Sequence, residues 1–261
     1  SLLGLLSEEY KNVIAIAGCH GKTTITSMIA LITEYAGVDA TVHVGGMVDF
    51  LGSGVRLGKT KQYFITEACE YVESFLKLSP THILINNIDD DHLDYYKDID
   101  QMIATFRKFV NLMPESGHLY LNKDDVKGYQ LHDMPFDITE YGLSENAGYT
   151  VANVAFSEMG FPSFDIIRKG ENMGRIALEV PGRHNMANAL AAFTVCHSVF
   201  GVDIATAAKA LKAYRLVGRR FEFMGEKNGV KIFHDYAHHP SEIMACLDAA
   251  AQYPHKKLWA V

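Results

Sequence analysis

Eleven residues, Ile14-Ala15-Ile16-Ala17-Gly18-Cys19-His20-Gly21-Lys22-Thr23-Thr24, bring together the residue types that can hold a phosphate. An apolar, β-branched run ends in two glycines, then a lysine and two threonines, then the helical pattern of Ile25–Tyr35. A strand, a glycine turn and a helix start aim backbone N–H groups and a helix N-terminus at an anion. In such a loop Lys22 reaches the β- and γ-phosphates and the Thr23 hydroxyl sits on Mg²⁺. The segment departs from the general phosphate-loop pattern, because Ile16 stands where its first glycine belongs and Gly18 is the early glycine instead. A helix that merely begins at Gly-Lys is the plainer reading of these residues.

Other groups able to do chemistry follow apolar runs in the same way. Thr66-Glu67-Ala68-Cys69-Glu70 carries two carboxylates, suited to Mg²⁺ as hard oxygen ligands; a solvated pair at a helix start accounts for them equally well. Asn86-Asn87-Ile88-Asp89-Asp90-Asp91-His92-Leu93-Asp94 packs two amides, four carboxylates and an imidazole into nine residues. That much acid repels itself unless solvated or held by cations, and His92 can ligate or orient a metal; a capped turn is the plain alternative. Asn185 and Asn188 lie at helical spacing, so both amides face one way, toward a base or ribose or simply as caps. Arg219 and Arg220 offer forked donors suited to phosphate, and Asp235-Tyr236-Ala237-His238-His239-Pro240 sets an acid beside two histidines locked before a proline.

The elements that must position these groups can be read from periodicity. Strand-like runs at 13–17, 40–44, 62–66 and 82–86 alternate with helical runs at 24–35, 72–78 and 99–112. This predicts an α/β fold with a mostly parallel sheet flanked by helices, in which ligands gather beyond the carboxyl ends of the strands. Runs at 118–121, 149–156, 163–168 and 174–180 read as a small antiparallel sheet. Helices are expected at 185–200 and 204–214, with Gly201-Val202-Asp203 stopping the first and capping the second. A boundary is expected at 216–218, followed by a strand at 229–233, a helix at 241–253 and a strand beginning at 257. Because the chain stops on that half-built unit, a fragment of a longer protein is expected.

Composition narrows the function classes. The chain has 261 residues, 48% of them hydrophobic and 21% charged, which suits a folded globular protein. A net charge of −7 without any basic run argues against nucleic acid as partner. No apolar stretch reaches membrane-span length, so no membrane insertion is expected, and Ser1–Leu6 reads as an incoming helix. The four scattered cysteines form no CxxC pair, which disfavours a zinc site or a disulfide framework and suggests the cytoplasm.

Taken in order and spacing, these segments resemble the Mur ligase family of ATP-dependent amide ligases in peptidoglycan precursor synthesis. Gly18-Cys19-His20-Gly21-Lys22-Thr23-Thr24 is similar to the family's phosphate loop, with Cys19 in place of Thr. Glu67-Ala68-Cys69-Glu70 with Ser74-Phe75-Leu76, and Asn87 with Asp91-His92-Leu93-Asp94, resemble two further motifs. Gly182-Arg183-His184-Asn185 with Asn188-Ala189, Gly218-Arg219-Arg220-Phe221-Glu222 and Asp235–Pro240 complete the set. The resemblance implies a central, phosphate-loop-type ATPase domain at 1–216 and the start of a Rossmann-like C-terminal domain at 217–261, with the UDP-sugar-binding domain absent. It implies ATP and Mg²⁺ as cofactors, with Gly18, His20, Gly21, Lys22, Thr23 and Thr24 around the phosphates. Thr23 and Glu67 would bind one Mg²⁺ and His92 a second metal; Lys22, Glu67 and His92 would carry catalysis. Asn185 and Asn188 would lie near adenine, Arg220 would reach a phosphate, Asp235 the ribose, and His238 the sugar substrate. His20 and the His238-His239 pair point to the alanine-adding branch, with UDP-N-acetylmuramate and L-alanine as substrates; a murein-tripeptide ligase is the near alternative, and a non-catalytic MgATP-binding module the one from another class. Without a complete third domain, poor ligation by this polypeptide alone is expected.

Overall fold

The computed structural model describes residues 2–92, 94–218 and 220–261. Leu93 and Arg219, which belong to two of the motifs above, lie outside the described residues, as does Ser1.

Ten strands form one sheet. In chain order they are β1 (Asn12–Ala17), β2 (Thr41–Val48), β3 (Ser53–Arg56), β4 (Tyr63–Ala68), β5 (His82–Ile85), β6 (His118–Asn122), β7 (Asp137–Tyr141), β8 (Tyr149–Phe156), β9 (Pro162–Arg168) and β10 (Glu171–Ala177). Their order across the sheet is β10-β9-β8-β7-β6-β5-β1-β4-β2-β3. Pairing is parallel from β2 through to β8, while β3 at one edge and β9–β10 at the other are antiparallel. Two expectations change here. Residues 118–121 do not belong to an antiparallel sheet but form β6, parallel to both neighbours. The antiparallel strands extend the main sheet; the separate small antiparallel sheet is the hairpin of β11 (Glu222–Lys227) and β12 (Val230–His234).

Strand β1 explains why the phosphate-loop segment sits at the centre. Its residues Val13–Ala17 are wholly buried, as a strand covered on both faces requires. Alternation divides them: Ile14 and Ile16 join one core, Ala15 and Ala17 the other. On the first face α2 (Lys22–Tyr35) packs against both α4 (Arg183–Phe200) and α5 (Ile204–Ala213). Residues 24–33 of α2 are all buried, so this helix is enclosed on every side rather than amphipathic. On the other face α3 (Ile99–Val110) buries Phe106 and Phe109, with Phe75 stacked on Phe109 at 4.3 Å. Asp98 caps α3 by accepting the Gln101 amide, and Asp203 caps α5 through Thr206. Gly201, at φ 66°, ends α4 as the sequence suggests.

The short α1 (Leu2–Ser7) precedes β1, and α6 (Pro240–Gln252) follows the hairpin. Residues 72–78 differ from expectation. They lie mostly in a 3₁₀ segment, Tyr71–Lys77, interrupted where Val72 and Glu73 take positive φ, so no regular helix forms. Residues 257–261 form no strand; a lone segment with no neighbour to pair has nothing to hold it extended.

His82 on β5 and His118 on β6 sit side by side, their rings 6.5 Å apart. Burial, reinforced by His118, pushes the His82 pKa down to about 4. Between the ordinary histidine value and that one, the unfolded chain binds a proton that the fold refuses, so stability falls as pH drops through this window. Urea unfolding at pH 7.5 and pH 4 should show the wild type losing about 2 kcal/mol more than His82→Gln; equal losses would assign the acid sensitivity elsewhere.

Candidate functional site

The loop 18–21 leaves β1 at its carboxyl end, beside the ends of β4 and β5. Two glycines make its path possible. Gly18 has φ 130°, and a Cβ there would stand 2.9 Å from the backbone N and O of Asn87. Gly21 has φ 85°, and a Cβ would meet Asn188 Oδ1 and Asn86 Nδ2 at 2.8 Å. No side chain caps the first turn of α2, so the loop delivers the positive end of that helix uncapped.

Asparagines hold the loop's shape. The His20 amide donates to Asn87 Oδ1 at 2.8 Å, and the His20 carbonyl accepts from Asn86 Nδ2 and Asn87 Nδ2, both at 3.0 Å. Asn86 is nearly buried; its Oδ1 accepts from the Tyr141 hydroxyl and its carbonyl from Asn122 Nδ2. These two amides, which sequence reading grouped with the acidic run, are buttresses of the loop.

Lys22 bends back over its own loop. Its Nζ donates to the Gly18 carbonyl at 2.6 Å, to the Cys19 carbonyl at 3.2 Å, and to both Glu70 oxygens at 3.0 and 2.9 Å. Glu70 is fully buried. Burial opposes its charge, but His92 and Lys22 outweigh that and hold its pKa below the ordinary carboxylate value. Burial likewise opposes the charge on Lys22, and Glu70 keeps it above the ordinary lysine value. His92 Nε2 lies 3.3 Å from Glu70 Oε1 and 3.7 Å from Asp91 Oδ2. His92 adopts φ 55°, its amide bonded to Asp91 Oδ1 at 2.7 Å, a conformation that side chains pay strain to hold.

Glu67 stands on the other side of Thr23. The Thr23 hydroxyl donates to Glu67 Oε2 at 3.1 Å, and the Gly45 amide donates to Oε1 at 2.5 Å. A Cβ on Gly45 would stand 2.8 Å from Glu67 Oε2 and would oblige that carboxylate to shift. The two carboxylates of the Glu67–Glu70 motif therefore do different things: Glu67 meets Thr23, whereas Glu70 meets Lys22 and His92.

A cavity of about 560 Å³ opens in front of the loop. Of the residues singled out in the sequence, His20, Gly21, Lys22, Thr23, Thr24, His92, Asn185, Asn188, Arg220, Asp235 and His238 line it. Gly18 and Glu67 do not line it and join it only through Lys22 and Thr23. Asn185 uses its amide nitrogen on the Pro181 carbonyl at 2.7 Å, and Asn188 sits beside it. Asp235 accepts the Phe221 and Ala237 amides at 2.6 and 2.7 Å, fixing the turn that carries the far wall. Sequence reading missed Glu242, which lies between His20 Nδ1 at 3.4 Å and Arg220 at 3.5 Å. Burial opposes its charge, but His20 and Arg220 bring its pKa down to about 2. Its position one turn into a helix after His-His-Pro was the available signal.

Loop, buried lysine pair and facing wall thus come from segments far apart in the chain. A family model described as "Mur ligase middle domain" matches residues 16–196, and one described as "Mur ligase, glutamate ligase domain" matches residues 219–261. The chain belongs to the Mur ligase family. Among curated relatives, the UDP-N-acetylmuramate–L-alanine ligase of Alkaliphilus metalliredigens is 44% identical over 261 residues, covering 100% of this chain and 56% of its own length. That of Clostridium acetobutylicum is 45% identical over 260 residues, with 99% and 56% covered. This Mur ligase chain therefore spans little more than half the length of these relatives. Among solved structures, the UDP-N-acetylmuramate–alanine ligase of Thermotoga maritima superposes with a TM-score of 0.81 at 27% identity, covering 96% of this chain and 56% of that one. The UDP-N-acetylmuramate:L-alanyl-γ-D-glutamyl-meso-diaminopimelate ligase of Neisseria meningitides gives 0.73 at 29% identity, covering 84% and 70%.

In this Mur ligase the Lys22–Glu70 pair should dominate local stability. Glu70→Ala leaves the Lys22 charge buried without its partner, a loss of about 3–5 kcal/mol. Lys22→Met/Glu70→Ala should cost clearly less than the sum of the single changes in urea unfolding; additive costs would show that the two groups do not act as a pair.

Proposed function

We propose that this chain carries the MgATP site of an ATP-dependent amide ligase, and that the enzyme it serves joins L-alanine to UDP-N-acetylmuramate. One observation carries the reading: an uncapped helix N-terminus, a loop lysine, His92 and the wall 220–238 all face a single cavity. The residues fit a nucleotide triphosphate, since the uncapped start of α2 and the Lys22 side chain offer N–H donors at the cavity. We assign residues 1–216 to the central ATP-binding domain and 217–261 to the start of the C-terminal one. The nucleotide-sugar substrate argues for the cytoplasm.

In the proposed reaction the muramate carboxylate attacks the γ-phosphorus and ADP leaves; the alanine amine then attacks the acyl carbon, phosphate leaves, and the nitrogen loses a proton. Both steps gather negative charge that fixed cations and N–H donors must hold. Lys22 and the first amides of α2 would hold the β- and γ-phosphates. Thr23 and Glu67 supply hard oxygens for Mg²⁺, with His92 toward a second metal; bound there, Mg²⁺ would neutralise phosphate charge. Asn185 and Asn188 would face the adenine, Asp235 the ribose, Arg220 a phosphate and His238 the sugar. Residues 220–246 would shield the acyl phosphate from water.

A tripeptide-adding ligase is the second reading, because the Neisseria enzyme, at 29% identity, shares sequence with this chain at the level of the Thermotoga alanine ligase, at 27%, although it superposes less closely. Calorimetric titration of MgATP into the chain should give one site, weakened at least tenfold in Lys22→Ala; equal affinity in both would remove the loop as the nucleotide site. In the complete enzyme, ADP release should depend on L-alanine rather than on L-glutamate or tripeptide, and release driven by the tripeptide alone would select the second reading.

A further inference from the structure

Three side chains outside the proposed Mg²⁺ ligands converge where the C-terminal segment meets the loop. His20 Nε2 lies 3.4 Å from Asp89 Oδ2, and His239 Nδ1 lies 3.7 Å from the same oxygen. The two imidazole rings are 4.8 Å apart, and the three ligand atoms all fall within 4.8 Å of one another. Zinc with arms of about 2.0–2.1 Å in a tetrahedron separates its ligand atoms by roughly 3.4 Å, close to the 3.4 and 3.7 Å between each histidine nitrogen and Asp89 Oδ2.

The partners of these groups suit coordination as well. His20 Nδ1 faces Glu242 Oε1 at 3.4 Å, and His239 Nε2 faces the Asp90 carbonyl at 3.1 Å. His239 thus has an oxygen acceptor for the N–H on Nε2, which turns the Nδ1 lone pair toward Asp89. Carboxylate and carbonyl acceptors behind ligating histidines are the usual means of fixing that tautomer. The buried His20 Nδ1, by contrast, makes no hydrogen bond among the described residues and leaves the His20 ring free to present Nε2 to a cation. Asp89 is itself held by Lys127 on Oδ1 at 3.2 Å and by the Ser241 hydroxyl on Oδ2 at 2.6 Å. The Ser241 amide also reaches His239 Nδ1, at 3.3 Å, a long bond that coordination would replace.

We propose that His20, Asp89 and His239 form a site for a borderline divalent cation of the zinc type, with one open position, distinct from the proposed Mg²⁺ site. Two imidazoles and one carboxylate favour such an ion over Mg²⁺, which prefers oxygen. The three ligands come from the phosphate loop, the segment after β5 and the residue preceding α6. Occupancy would therefore tie the C-terminal segment onto the loop and hold it there.

Cobalt(II), the spectroscopic substitute for zinc, tests this directly. Titrated into the metal-free 261-residue chain with excess Mg²⁺, it should give intense visible bands of low-coordinate cobalt at one equivalent. Zinc should abolish those bands. His239→Gln should weaken cobalt binding at least tenfold, and Asp89→Asn should do likewise, with thermal unfolding confirming that both variants are folded. His92→Gln, in the neighbouring Glu70–Asp91–His92 group, should leave the bands intact. Absence of the bands in the wild type, their persistence in His239→Gln, or their loss in His92→Gln alone would overturn the proposal.

Discussion

A lysine ammonium held against a fully buried carboxylate sets the terms for the rest of this molecule. Taking two such charges from water costs several kcal/mol each, and they repay it only if nearly every hydrogen-bonding position is used. Lys22 meets that demand with two loop carbonyls and both oxygens of Glu70. Glu70 adds His92, and its backbone carbonyl accepts the buried Tyr96 hydroxyl at 2.5 Å. The pair therefore closes the loop 18–22 upon itself and ties it to the segments after β4 and β5. A loop so tied keeps its amides aimed one way before any ligand arrives, which is what preorganisation means in physical terms.

The sheet makes this closure possible. From β1 the chain runs outward through α2 to β2 and β3, returns to β4, then crosses to β5 on the other side of β1. The carboxyl ends of β1, β4 and β5 are thereby brought side by side at a change of direction, where open α/β sheets place their ligands. Each end contributes one part: the loop itself, the Glu67–Glu70 pair, and the asparagine-aspartate segment. Asp125, after β6, adds a further brace by accepting the Ile88 and Gly128 amides at 2.9 and 2.6 Å.

Much of this was legible because strong local rules wrote it. Buried β-branched runs marked β1 and β5, Gly201-Val202-Asp203 marked the break between α4 and α5, and a lysine after glycine marked the loop. What escaped had weak local signals or depended on distant partners. Strand β11, Glu-Phe-Met-Gly-Glu-Lys, is largely exposed and exists through its pairing with β12. Residues 118–121 read equally as parallel or antiparallel, since burial rather than direction shapes the residue pattern. The separate tasks of Glu67 and Glu70 could not be told apart by spacing, because they depend on which of Thr23 and Lys22 each side chain reaches. The partners of Glu242 were hidden for the same reason, His20 lying in the phosphate loop and Arg220 ahead of the β11–β12 hairpin.

The two ways in which parts of this chain adhere have different physical consequences. Helices α2, α3, α4 and α5 are fastened to the sheet by buried apolar side chains on both its faces, and separating them would expose surface at about 25 cal/mol per Å². The C-terminal segment has its own small aromatic cluster, where Phe233 packs on Phe221 at 4.7 Å and on Tyr253 at 5.2 Å. It meets the phosphate loop through Glu242 on His20, however, and Asp89 after β5 through His239 and Ser241, and these contacts are ion pairs and hydrogen bonds. Unlike buried apolar surface, these groups can be solvated by water once the two sides separate. The seam is mainly polar, with Ala249 of α6 buried close to Gly182 at the start of α4. The nucleotide cavity lies along that seam, so whatever binds there bridges the two sides and adds its own contacts to a junction otherwise held mainly by charge.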